Sequence, residues 1–147
     1  MKTQIFRSTA ILGLFFVLAI ASVNAQTPSR AEVNIPFDFA AGKANLKAGS
    51  YRVYRLSGSA ISIRSADGQT AAIVSAPLAI DSREFKAGER LVFNKYGDRY
   101  FLSQVWLSVE TGRQLFMSGV ETKAAREYKL VAKNGKTERV EVALRGK

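Results

Sequence analysis

Histidine and cysteine are both absent from this chain of 147 residues. Without them, Ser-His-Asp and Cys-His nucleophilic machinery is ruled out. Zinc, copper and iron sites built on imidazole or thiolate are ruled out as well. No disulfide can form, so the fold must be held by packing alone. The chemistries left open are those of carboxylates, Ser-Lys pairs, tyrosine and calcium held by oxygens. Two of these lack their signatures: there is no S-x-x-K nucleophile setting and no D-x-D-x-D-G calcium loop. A glycan-acting pair of carboxylates would have to come from Asp38, Asp67, Asp98 and Glu110, and nothing in the sequence marks any two of them as partners. We therefore expect no enzyme activity and no cofactor.

The chain also has no apolar run of the roughly 20 residues that a spanning helix needs. An uncharged, mostly apolar run from Ala10 to Ala21 has 12 residues and follows the basic Lys2 and Arg7. Ser22, Val23, Asn24 and Ala25 then supply a small-residue cleavage site. This is the layout of a secretory signal peptide over residues 1–25. Export to the periplasm or beyond is expected, with no transmembrane anchor after cleavage. The absence of cysteine near that site excludes a lipoprotein anchor. Residues 26–30 read as a flexible leader and 31–147 as a single β domain. After cleavage the chain carries 20 basic and 12 acidic residues, a net charge of +8.

What the remaining sequence does contain is short alternating segments separated by turn residues. Val33, Ile35, Phe37 and Phe39 alternate with Asn34, Pro36 and Asp38, as in a half-buried strand. Pro36 cannot donate to a ladder, which places it at an edge or bulge. Turns are expected at Ala41-Gly42, at Lys47-Ala48-Gly49, at Ser57-Gly58 and at Ala66-Asp67-Gly68. Tyr51 and Val53 face away from Arg52 and Tyr54, and Ile61 shares a face with Ile63. The segment Leu78–Glu89 reads as a loop that could hold a short turn of helix. Ser118 and Glu121 match a capping box, which would open one or two helical turns. The segments YKLVA and TERVEVAL flank Asn134-Gly135, predicting a terminal hairpin. With eight to nine strands at 8–12-residue spacing, the predicted fold class is all-β: an antiparallel β-sandwich or small β-barrel with one short helix.

The stretch LVFNKYGDRYFLSQVW predicts a core hairpin bent at Gly97 and Asp98, with Lys95 and Arg99 at its tip. Both faces of its second arm are apolar, which suits a central strand. Its aromatic and basic groups also provide the candidate binding surface: Tyr96, Arg99, Tyr100 and Trp106, joined by Arg52 and Tyr54. A barrel lined by Phe37, Phe39, Phe93 and Trp106 would instead make a carrier for a small apolar ligand.

VNIPFDFAAGKANLKAGSYRV and LVFNKYGDRYFLSQVW together resemble a family of small exported bacterial β-proteins, over about Ala31 to Arg126. The resemblance implies a β fold and export, and carries no catalytic residues. Ala124 to Glu127 is a looser version of the charged segment near which such chains end. A structural or binding role at the cell envelope follows as the expectation. Its partners would be anionic envelope polymers or lipid head groups, drawn by the positive charge. Nucleic acid is disfavoured by export and by basic residues spread along the chain rather than clustered.

Overall fold

A computed structural model describes residues 30–81, 88–132 and 136–146. The segment expected to be a signal peptide, nearly all of the expected leader, and the turn expected at Asn134-Gly135 lie outside the described residues. Arg30 already belongs to the first strand.

The described residues form twelve strands and one helix. Two sheets face each other as a sandwich. The first sheet contains β1 (Arg30–Ile35), β4 (Gly49–Arg55), β5 (Ala60–Ser65), β6 (Ala71–Ser75) and β12 (Arg145–Gly146), in the order β12-β1-β4-β5-β6. The second contains β11 (Glu138–Ala143), β8 (Arg90–Tyr96), β9 (Arg99–Trp106), β10 (Thr111–Gln114) and β7 (Leu78–Asp81), in that order. Two short strands, β2 (Phe39–Ala41) and β3 (Ala44–Leu46), join it where β2 runs parallel to the start of β9. The sheets do not close into a barrel. They are joined where the chain steps from one to the other: at Pro36 between β1 and β2, at Pro77 between β6 and β7, and at Leu144 between β11 and β12. Proline suits the first two steps because a residue without an N–H cannot extend a ladder.

Side-chain alternation builds the core. Val33 and Ile35 of β1, Val53 of β4, Ile61 and Ile63 of β5, and Val74 of β6 face Leu91, Phe93, Leu102 and Val105 of the second sheet, all buried. Phe93 lies at the centre, with Phe37 and Phe39 edge-on to it at 5.2 and 5.4 Å. Trp106 is on the other face of its sheet, over Gly112 and under Arg90. The four aromatics proposed to line a carrier cavity therefore do not share one.

The expected hairpin at residues 91–106 forms. Tyr96 pairs with Arg99 around Gly97 and Asp98, and Gly97 takes a φ of 63°, the left-handed conformation that a two-residue hairpin asks of glycine. Ser103 is the extra residue of a bulge, on β9 opposite Val92 and Phe93, so Leu102 and Val105, three apart, both face the inter-sheet core. Val92 faces outward by plain alternation along β8 and is buried there.

Other expectations are corrected. The strand read as Val33 to Phe39 breaks at Pro36, and its halves belong to different sheets. Leu78 to Asp81, read as loop, is an edge strand paired with β10. The terminal hairpin does not form: Tyr128 to Val131 are helical, and β11 pairs with β8 instead. Helix α1 (Gly119–Val131) has 13 residues rather than one or two turns. It contains no interior glycine or proline and is rich in Ala, Glu, Lys and Arg, all strong helix formers. The Leu130-Val131 pair resembled strand but is solvent-exposed at the helix end.

The face of Gly112 is filled by the Trp106 ring, since a Cβ there would lie 2.6 Å from Trp106 Cε2. Gly112→Ala is expected to destabilise the fold by about 1–3 kcal/mol through overpacking. Chemical denaturation followed by Trp106 fluorescence measures this directly, because the chain has a single tryptophan. A variant as stable as the parent would mean that the ring moves freely off the strand.

Candidate functional site

The sandwich divides the six predicted binding residues. Tyr96, Arg99, Tyr100 and Trp106 belong to the second sheet, whereas Arg52 and Tyr54 lie on the outer face of the first.

On the second sheet the residues are largely engaged in packing. Trp106 is buried, with the Arg90 guanidinium 4.4 Å from its ring centre and its Nε1 donating to Gln104 Oε1 at 3.0 Å. Tyr100 stacks on Phe37 at 3.9 Å and packs against the inter-sheet core. Arg99 is exposed and pairs with Glu127 of α1 at 3.0 Å. Arg99 and Tyr100 also line a cleft of about 420 Å³ with Asp38, Lys47, Asp98 and Val120. Within it, Lys47 and the Ala48 backbone N–H hold the Asp38 carboxyl below the usual carboxylate range. Asp67, in the β5–β6 turn, is likewise held low by Ser65 and by the Gln69 backbone N–H.

Tyr96 is buried beneath α1. The helix lays Glu121, Ala124, Ala125 and Tyr128 on the outer face of the second sheet, at the i, i+3, i+4, i+7 spacing of one helical face. Glu121 is the polar member of this stripe. Asn94 Nδ2 donates to its Oε1 at 2.9 Å, and the Tyr96 hydroxyl donates to the same atom at 3.4 Å. The Ser118 half of the capping box is formed, with Oγ accepting from the Glu121 N–H at 3.1 Å. Burial pushes the Glu121 carboxyl above its ordinary value, against the opposing hydrogen bonds from Asn94, Tyr96 and the Ser118 backbone. Burial and the adjacent Glu121 push the Tyr96 phenol up as well. This group anchors the helix to the sheet.

The first sheet is different, because no helix of the described residues covers its outer face. β1 directs Arg30, Glu32 and Asn34 outward, β4 directs Ser50, Arg52 and Tyr54, β5 directs Ser62 and Arg64, and β12 directs Arg145. The register aligns Arg145, Glu32, Arg52 and Arg64 in one row across four adjacent strands. At the usual interstrand spacing of 4.7–4.9 Å that row spans roughly 14 Å. The next row holds Arg30, Tyr54, Ser62 and Ile73. Four arginines thus share one face with a single carboxylate, Glu32.

Arg52 stands directly opposite Arg64. Like charges in that position destabilise a sheet. Glu32 Oε1, 3.7 Å from Arg52 Nε, and the Ala66 carbonyl, 3.4 Å from Arg52 Nη2, draw off part of the repulsion. A depression of about 180 Å³ lies between Arg52 and Arg145, lined also by Glu32, Asn34 and Ser50. An anion seated here would meet both guanidinium groups in competition with the Glu32 carboxylate, which stands between them in the row. Sequence reasoning reached Arg52 and Tyr54 and missed Arg30, Glu32, Arg64 and Arg145. The alternation around Ile61 and Ile63 already directs Arg64 outward, but the register that sets it against Arg52 is not a local property.

Among the described residues there is no group of three or more metal-ligating side chains and no helix long and apolar enough to cross a membrane. Comparison with family models, with curated proteins and with solved structures finds no match to this chain.

The raised Glu121 value has a consequence for pH. Folded Glu121 keeps its proton at pH values where the unfolded chain has lost it. Stability is therefore expected to fall as pH rises from the ordinary glutamate range through the raised value, and to level off above it. Asp38 and Asp67, with lowered values, act in the opposite sense at lower pH. Glu121→Gln keeps an acceptor for Asn94 and Tyr96 and should flatten the upper slope in a pH series of denaturation curves. An unchanged slope would assign the effect to another group.

Proposed function

We propose that this chain is an exported, non-catalytic β module of the bacterial cell envelope, akin to the small exported β-proteins it resembles, and that it binds anionic polymer through the outer face of its first sheet. The observation that carries this reading is Arg52 facing Arg64 on a face that no helix of the described residues covers, with Arg145 beyond Glu32 in the same row. Cross-strand repulsion of this kind is relieved when an anion lies between the two groups. A chain bearing carboxylates or phosphates at intervals of about 5–10 Å, one or two strand spacings, could follow the row across the strands. Tyr54, beside Arg30 in the next row, offers a ring face to sugar or backbone groups. The overall positive charge would speed encounter with such a polymer and make binding salt-sensitive.

The test is titration calorimetry at low and high salt with polygalacturonate as the polyanion and dextran as the neutral control. Polygalacturonate is expected to bind and dextran not. Arg52→Ser and Arg64→Ser should each weaken binding up to about fivefold, as for exposed charge contacts of about 0.2–1 kcal/mol. Glu32→Gln, which removes the competing internal carboxylate, should strengthen it. Affinity that is indifferent to salt and to all three substitutions would sink the proposal.

A further inference from the structure

Helix α1 buries one stripe and leaves the remainder of its surface in solvent. Helical spacing puts Val120, Lys123, Glu127, Leu130 and Val131 along one flank, and Arg126 and Lys129 along the other. Phe116 and Met117 immediately precede the helix. The apolar members are strongly exposed: Leu130 87%, Val131 86%, Phe116 65% and Val120 60%. Together with Met117 they form the largest group of exposed large apolar side chains along any one segment of the described residues. Isolated exposed apolar residues are ordinary, but a group of this kind marks an interaction site.

We infer that this edge of α1 docks on a lipid surface bearing anionic head groups. The charge around the patch selects that occupant. Lys123 lies within it, between Val120 and Leu130, and Arg126 and Lys129 border it. Its one flanking acid, Glu127, is held by Arg99 at 3.0 Å and by Lys123 at 4.0 Å. A surface with exposed Leu, Val and Phe beside lysine and arginine has the composition of a helix that lies in the membrane interface. A second copy of the chain seated there would bring these cations against their own kind. The inference does not rest on the arginine row, which lies on the opposite face of the sandwich. Polymer and lipid could therefore be held at the same time.

The test uses the protein exported by its expressing cell, its N-terminus read by mass spectrometry. It compares the parent with a Phe116→Ser, Leu130→Ser, Val131→Ser variant that has the same N-terminus. Each is sedimented with phosphatidylglycerol vesicles and with phosphatidylcholine vesicles, and circular dichroism checks the fold. The parent is expected to bind phosphatidylglycerol vesicles more strongly than phosphatidylcholine, and the variant to bind them about tenfold or more weakly with an unchanged spectrum. Arg52→Ser with Arg64→Ser should leave vesicle binding intact, which separates this inference from polymer binding. Equal binding by parent and variant would overturn it, as would no binding by the parent. A substitution that lowered only self-association, read by sedimentation velocity, would also overturn it and make the patch a contact between copies.

Discussion

Strand β9 is the element on which the rest of the molecule depends. Along one edge it pairs with β8, and along the other it pairs first with β2 and then with β10. Its inner face supplies Leu102 and Val105 to the inter-sheet core. Its outer face supplies Phe101 to the helix contact and Trp106 to the Gly112 contact. A strand covered on both faces and bonded along both edges has no freedom to slip in register. In a chain without disulfides, this strand takes the place of a covalent staple.

The placement of the helix follows from it. Phe101 and Tyr96 give α1 an apolar floor, and the small side chain of Ala124 lets the helix sit close. Glu121 is an unusual member of that contact, because a buried carboxylate without partners is costly. Asn94, Tyr96 and the Ser118 cap meet part of this cost, and the raised protonation value reflects what is left. A polar group satisfied from several directions also defines the rotation of the helix about its axis, which neighbouring alanines could not do.

The only helix of the described residues lies on the second sheet, and none of the described elements covers the outer face of the first. Sandwich sheets normally place mixed charge on such a face. Here arginine outnumbers acid by four to one, and two of the arginines oppose each other. The molecule therefore has two dissimilar sides: a flat basic sheet, and a helix whose free edge is apolar. That asymmetry motivates assigning the two sides different partners.

Period-two alternation and turn chemistry are local, so the sequence by itself determined the β class, the hairpin at Gly97-Asp98, the turn at Asp67-Gly68 and the cap at Ser118. The outward direction of Arg52 and Tyr54 follows from the same alternation. Residues 128–131 misled because Leu130 and Val131 have the composition of a strand, while the apolar contact that holds the helix uses alanine and tyrosine. Only the tertiary structure decided that Pro36 and Pro77 mark steps between sheets, that β11 pairs with β8, and that a bulge in β9 turns both Leu102 and Val105 inward. It also decided that Trp106 is packed over Gly112, away from the arginine face, and that Arg145, Glu32, Arg52 and Arg64 stand in one row. These features depend on which strands lie side by side, and pairing over long separations is set by the packing of the whole core rather than by any short stretch of chain.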